Sequence, residues 1–169
     1  NLACVEPGDT VLIVGGGIIG LLSAAWARIC GAAYIALSEI NPNRRQKALS
    51  FGDIDEVFDA ADPKLQKKLL SKTQGGFSKV IECAGPAPAV KSAIGGAAQG
   101  AIVVLAGISY LEVPVSTMRI AMRELTLKGS YGYASAEFDR CIDYISRKVL
   151  KTGRFIDETI EPDNIQQAF

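Results

Sequence analysis

The stretch Thr10–Gly20, TVLIVGGGIIG, constrains this chain more than any other. A short apolar run leads into G-x-G-x-x-G, and an apolar segment long enough for a helix follows. Each part answers a physical demand. Gly15 lets the chain turn sharply out of a strand. Gly17 lacks a Cβ, so another molecule's diphosphate can approach the backbone. Gly20 lets the following helix pack closely on the strand. The amides of Ile18 and Ile19 then face the diphosphate at the positive end of the helix dipole. Glu39 closes the next apolar run, about 20 residues on, where a carboxylate meets ribose hydroxyls. Strand, turn, helix and acid together point to a dinucleotide, where glycines alone would indicate only a turn.

The remaining pattern alternates strands with helices, as βαβ units do. Strands are expected at Thr10–Val14, Tyr34–Leu37, Glu56–Phe58, Lys79–Cys83, Ala101–Ala106 and Leu125–Tyr131. Helices are expected over Ile18–Cys30, from Asn41-Pro42 to about Phe51, from Pro63 to about Lys72, over Ala87–Ala98, and from Ser135 to about Leu150. Leu111–Val115 reads as a further extended piece, marked as a sheet edge by Pro114, and Pro162 as the start of a last helix. The predicted fold is α/β, a doubly wound, mostly parallel sheet of about six strands forming one dinucleotide-binding domain over residues 1–169. The ligand crevice should then lie among the loops Gly15–Gly20, Glu39-Ile40, Cys83–Gly85 and Gly107–Ser109.

Composition removes several classes of function. Formal net charge is zero, which gives no electrostatic footprint for nucleic acid or an anionic membrane surface. No apolar run approaches the roughly 20 residues a bilayer span needs. The four cysteines (Cys4, Cys30, Cys83, Cys141) form no C-x-x-C pair and read as reduced, partly buried residues of a cytoplasmic protein. There is no histidine, so the commonest metal ligand and general base is missing. Glu82 and Cys83 are neighbours on a strand and point to opposite faces, so they make a poor metal pair.

Glu39 also bears on which dinucleotide is bound. A 2′-phosphate beside it would suffer like-charge repulsion, which favours NAD over NADP. Arg44 and Arg45 argue the other way, since guanidinium forks suit phosphate. Ile40 is expected on one adenine face, with Ala84 near the other.

The residues also carry a family resemblance. Pro7–Val11 leading into the glycine motif, Ser38-Glu39 with Arg44-Arg45 and Ala48, Ile81–Gly85, Val103–Gly107 and Glu124–Tyr133 resemble the cofactor-binding domain of the medium-chain dehydrogenase/reductase family. Its members include zinc-type alcohol and polyol dehydrogenases. The Ser-Glu…Arg-Arg and Glu-Cys-Ala-Gly segments are most similar to sorbitol and 2,3-butanediol dehydrogenases, with threonine dehydrogenase a near neighbour. The resemblance implies that Gly15, Gly17, Ile18, Ile19 and Gly20 hold the pyrophosphate, and that Glu39 binds the adenosine ribose with Arg44 over it. It places Cys83 and Ala84 along the cleft, Ala106, Gly107 and Ile108 at the nicotinamide, and Ser130 and Tyr131 at the closing end. It implies an oxidoreductase moving hydride between a secondary alcohol or ketone and NAD, and a homodimer or homotetramer joined through Leu111–Val115 and the following strand. The family's catalytic zinc is held by a preceding domain, so this chain is expected to be one domain of a longer enzyme and inactive alone. The competing readings are a zinc-free NADPH-dependent quinone or enoyl reductase domain, a non-catalytic nucleotide-binding module, and a methyltransferase using S-adenosylmethionine.

Overall fold

The computed structural model describes residues 2–156 and 158–168. Two compact units result, one reaching Gly132 and the other beginning at Tyr133. The first is built on a six-stranded, all-parallel sheet with strand order β3-β2-β1-β4-β5-β6. The strands are β1 (Thr10–Val14), β2 (Tyr34–Glu39), β3 (Glu56–Asp59), β4 (Phe77–Glu82), β5 (Ala97–Leu105) and β6 (Thr126–Gly129). The helices between them are α1 (Ile18–Ile29), α2 (Pro42–Ser50), α3 (Leu65–Lys72), α4 (Ala87–Gly96) and α5 (Thr117–Met122).

The strands read as they do because both of their faces are covered. Val11, Leu12, Ile13 and Val14 are all buried. Leu12 and Val14 belong to a cluster with Leu65 and Leu69 of α3 and Val90, Ala93 and Ile94 of α4. Ile13 lies on the other side, against α1 at Gly20. Continuous apolar runs are what doubly covered parallel strands require.

Local signals fix the helix ends. Asn41 accepts at Oδ1 from the amides of Asn43 (2.9 Å) and Arg44 (3.2 Å), with Pro42 in the first turn, so α2 starts there. Gly31, at φ +96°, takes the left-handed conformation that lets α1 stop and the chain return to β2.

Several expectations need correction. Leu111–Val115 joins no strand. Pro114 has no amide to give a ladder, and the chain is already turning toward α5, which the sequence reading missed and whose start Ser116 caps by accepting from Arg119 N (3.3 Å). The sheet ends instead at β6, shorter than the expected Leu125–Tyr131. β5 begins at Ala97, because α4 runs into it without a loop. The third helix starts at Leu65, two residues after Pro63.

In the second unit, α6 (Ser135–Ser146) is capped at Ala134, not Ser135, with the Glu137 carboxylate reaching back to accept from Ala134 N at 3.1 Å. Pro162–Ala168 is 3-10 rather than α-helical. Cys4 and Cys141 are exposed rather than partly buried. No described helix is long and apolar enough to cross a membrane.

Candidate cofactor-binding site

Strand order reverses between β1 and β4, so the loops after these strands diverge to opposite sides of the sheet. Around that opening the fold gathers loop 15–20 from β1, residues 39–40 from β2, 83–85 from β4, 106–108 from β5 and 130–131 from β6.

The glycines differ in what they do. Gly15 has φ +104°, and its amide donates to Ser38 O at 2.8 Å, locking the turn to the end of β2. A Cβ on Gly20 would overlap the Gly15 carbonyl oxygen and meet Ile13 Cγ2 at 3.2 Å, so Gly20 permits α1 to pack on β1. Gly17 is the N-cap of α1 with φ −73° and ψ −178°, which any residue can adopt. A Cβ there would meet nothing within 4 Å. Neither backbone geometry nor packing inside the chain demands glycine at that position. The first-turn amides of Ile18 and Ile19 have no intrahelical acceptor, and no side chain caps them. No acidic residue occupies the first turn.

Glu39 stands at the tip of β2 and is only 6% exposed. Its Oε2 accepts from Gly16 N at 2.6 Å and its Oε1 from Asn41 N at 2.8 Å. It therefore braces the glycine turn and the entry to α2 together, a role the sequence reading did not foresee. Each oxygen keeps acceptor capacity for a further donor. Arg44 is exposed at the start of α2, whereas Arg45 is committed. The Arg45 Nη1 donates to Glu39 O (2.9 Å), Ile40 O (2.7 Å) and Asp59 Oδ1 (3.2 Å).

Large apolar side chains stand exposed around this edge, namely Ile18, Ile19, Ile40 and Ile108. Such side chains line the apolar walls of cofactor clefts. Ala84 is exposed and Cys83 half-buried beside them. Burial pushes the Cys83 thiol up to about 12, with Glu82 adding to the effect and a hydrogen bond with Ser23 opposing it. A thiol held that high is neutral and a poor nucleophile near neutral pH. Ala106 N and Gly107 N both donate to Glu82 O (2.8 and 2.9 Å), and Ser130 N donates to Leu105 O at 2.9 Å. The Tyr131 side chain is exposed.

An open depression of about 680 Å³ lies at the opposite end of the sheet, lined by Thr10, Tyr34, Ser71, Lys72, Thr73, Gln74 and Gly76. Two of its polar groups are held by the neighbouring Glu56. Tyr34 Oη donates to Glu56 Oε2 at 2.7 Å, and Lys72 Nζ pairs with Glu56 Oε1 at 2.8 Å. Burial, reinforced by Glu56, holds the Tyr34 phenol well above its ordinary value. This end has the marks of a structural network and not of a site.

The model of one family, described as "Zinc-binding dehydrogenase", matches residues 19–147. This chain belongs to the zinc-binding dehydrogenase family. Alcohol dehydrogenase 1 of Petunia hybrida is 31% identical over all of this chain and 46% of its own length. Alcohol dehydrogenase class-3 of Myxine glutinosa matches at the same identity and coverage. Thus the chain spans about half the length of these curated dehydrogenases. Among solved structures, a Sinorhizobium meliloti 1021 protein bound to NADP is 31% identical with a TM-score of 0.83, over 92% of this chain and 46% of that one. An Escherichia coli CFT073 alcohol dehydrogenase complexed with NADH shares the fold, with a TM-score of 0.89 and 23% identity, over 98% of this chain and 49% of that one. Despite the family's name, no three His, Cys, Asp or Glu side chains among the described residues are grouped to hold a metal ion. The described part of this zinc-binding dehydrogenase chain does not fit zinc.

Proposed function

We propose that this chain is the NAD(H)-binding domain of a zinc-dependent alcohol or polyol dehydrogenase. The observation that carries the reading is Gly17, a helix N-cap with unoccupied space where its Cβ would be, beside amides that have no partner within the helix. The diphosphate would lie on Gly17, Ile18 and Ile19, with the adenosine ribose on Glu39 under Arg44. Ile40 and Ala84 would flank the adenine. Cys83, Ala106, Gly107, Ile108, Ser130 and Tyr131 would line the path to the nicotinamide, which when bound gives or takes the hydride. The substrate, a small alcohol or ketone, and the zinc that polarises its oxygen are assigned to the part of the enzyme outside this half. The proposal includes a cytoplasmic homodimer or homotetramer. Exposed Tyr110, Leu111, Met118 and Met122, together with the open edge of β6, support association in that region.

NAD is favoured over NADP because Glu39 is buried and held. Two unit charges 4 Å apart repel by about 4 kcal/mol at an effective dielectric of 20. Even a fraction of that gives an order of magnitude in affinity. The NADP in the Sinorhizobium relative is the observation on the other side, as is the exposed Arg44. Titration of the chain with NADH and NADPH, followed by nicotinamide fluorescence or calorimetry, tests both parts. NADH should bind below millimolar concentration and NADPH at least about tenfold more weakly. A folded sample that binds neither at millimolar concentration refutes the function. Tighter binding of NADPH transfers the reading to the quinone or enoyl reductase class.

A further inference from the structure

Glu82 is wholly buried at the end of β4, and the function proposed above gives it no part. A carboxylate so far from water is costly unless its hydrogen bonds compensate. The carboxylate is bonded from one loop and touches another, while the main chain of the residue is bonded from that second loop. Oε1 accepts from Ala84 N and Gly85 N, each at 2.7 Å, and so folds the β4–α4 turn around itself. Its main-chain oxygen, which any residue at this position would present, accepts from Ala106 N and Gly107 N at the tip of β5. Oε2 has no hydrogen-bond partner among the described residues and lies against that same tip, where a Cβ on Gly107 would come within 2.6 Å of it. Gly85 in turn packs so closely on Ile108 that a Cβ there would overlap the Ile108 carbonyl oxygen.

These contacts make one unit of residues 82–85 and 106–108. A side chain serving only as a turn cap need not be ionisable, since Ser or Asn can accept from the same amides at a smaller desolvation cost. What a carboxylate adds is strength. Two amides on one charged oxygen form short bonds that resist displacement. Backbone groups that must meet a ligand gain affinity when they are fixed before it arrives.

We propose that the side chain of Glu82 is the positioning group for the nicotinamide half of the cleft, holding the backbone of Ala106–Ile108 ready for the ring and its carboxamide through the 84–85 turn packed on Ile108 and through Oε2 against Gly107. This rests on the reading of the cleft as a dinucleotide site. Of the adenosine half, the Gly15–Gly20 loop and Glu39 have no bond to Glu82 among the hydrogen bonds described, and its one link to Glu82 is the amide of Ala84 beside the adenine.

The test compares ADP-ribose, which has the adenosine half alone, with NADH on the intact chain and on Glu82→Ala, Glu82→Asp and Glu82→Gln variants. Wild type should bind NADH more tightly than ADP-ribose. Glu82→Ala should weaken ADP-ribose by no more than about threefold, through Ala84 beside the adenine, and weaken NADH by about tenfold or more, the scale of a lost charged hydrogen bond. Glu82→Gln retains one oxygen for the two amides but not its charge, and should lose part of the discrimination, less than Glu82→Ala. Should Glu82→Ala not melt cooperatively, Glu82→Asp decides, since its shorter arm withdraws the oxygen while keeping the charge, and the NADH to ADP-ribose affinity ratio should still fall. Unchanged ratios, equal losses for both ligands, or a wild type with no preference for NADH overturn the inference alone. A folded wild type that binds neither ligand overturns the dinucleotide reading as well.

Discussion

Gly17→Ala separates binding from stability, because its effects on the two can be worked out independently. At φ −73° and ψ −178° alanine is unstrained, and its Cβ meets nothing within 4 Å. Two small terms then oppose each other. Alanine is a poorer N-cap than glycine, by up to about 1 kcal/mol. Replacing glycine also removes freedom from the unfolded chain, which stabilises by about 0.4–1 kcal/mol. The terms nearly cancel, so the melting temperature should stay within about 3 °C of wild type. Binding has no such compensation. The new methyl group occupies the space through which a diphosphate would approach the Ile18 and Ile19 amides. Loss of one or two hydrogen bonds to a charged group costs about 1.5–3 kcal/mol each, so NADH affinity should fall by at least about tenfold. Differential scanning fluorimetry and NADH titration of the same sample supply both numbers. NADH affinity equal to wild type would refute the assignment of the diphosphate to Gly17. A drop in melting temperature of about 8 °C or more would refute the view that the space beside it is free of the chain's own packing.

Gly20→Ala should behave in the opposite way, since its Cβ would overlap backbone at Gly15 and not a flexible side chain. Overpacking of that kind costs about 1–3 kcal/mol, visible as a lower midpoint in urea. Glu39→Ala strips the acceptor from the buried Gly16 amide as well as from a ribose, so the unfolding free energy from urea titration and the NADH affinity should both fall, the former by about 1–3 kcal/mol. Cys4 and Cys141 should alkylate readily with iodoacetamide at pH 8 while Cys83, with its thiol near 12, stays unmodified by mass spectrometry in the folded chain. Burial raises Glu56, but hydrogen bonds from Lys72 and Tyr34 outweigh it and hold the carboxyl below its ordinary 4.5. A lowered acid stabilises the fold above its unfolded value and loses that contribution as pH falls through the folded one. Denaturation midpoints measured from pH 6 down to pH 3 should therefore fall less steeply for Glu56→Gln than for wild type, and parallel curves would count against the pairing.

Much of this was legible in the order of residues. The β1 run, the glycine spacing, the α1 pattern and Glu39 are local features, read over single turns and strands, and the structure has each element where it was expected. The six parallel strands followed from alternation and the handedness of crossovers. Elements whose identity depends on neighbours were harder to read. Leu111–Val115 has the composition of a strand, but pairing is decided by the partner edge, and β6 holds that edge. The helix α5 is only six residues long, too short for periodicity to announce it.

The sequence by itself thus determined the fold class and the loop on which a diphosphate would rest, because both arise from glycine sterics and apolar periodicity within short windows. Tertiary structure decided what the acids do. Glu39 and Glu82 look alike in the chain, each an acid at the end of an apolar run. Only the folded sheet brings the Gly16 amide to the carboxylate of Glu39 and sets the second oxygen of Glu82 against Gly107. Such contacts join residues distant in the chain, and no spacing rule along it encodes them.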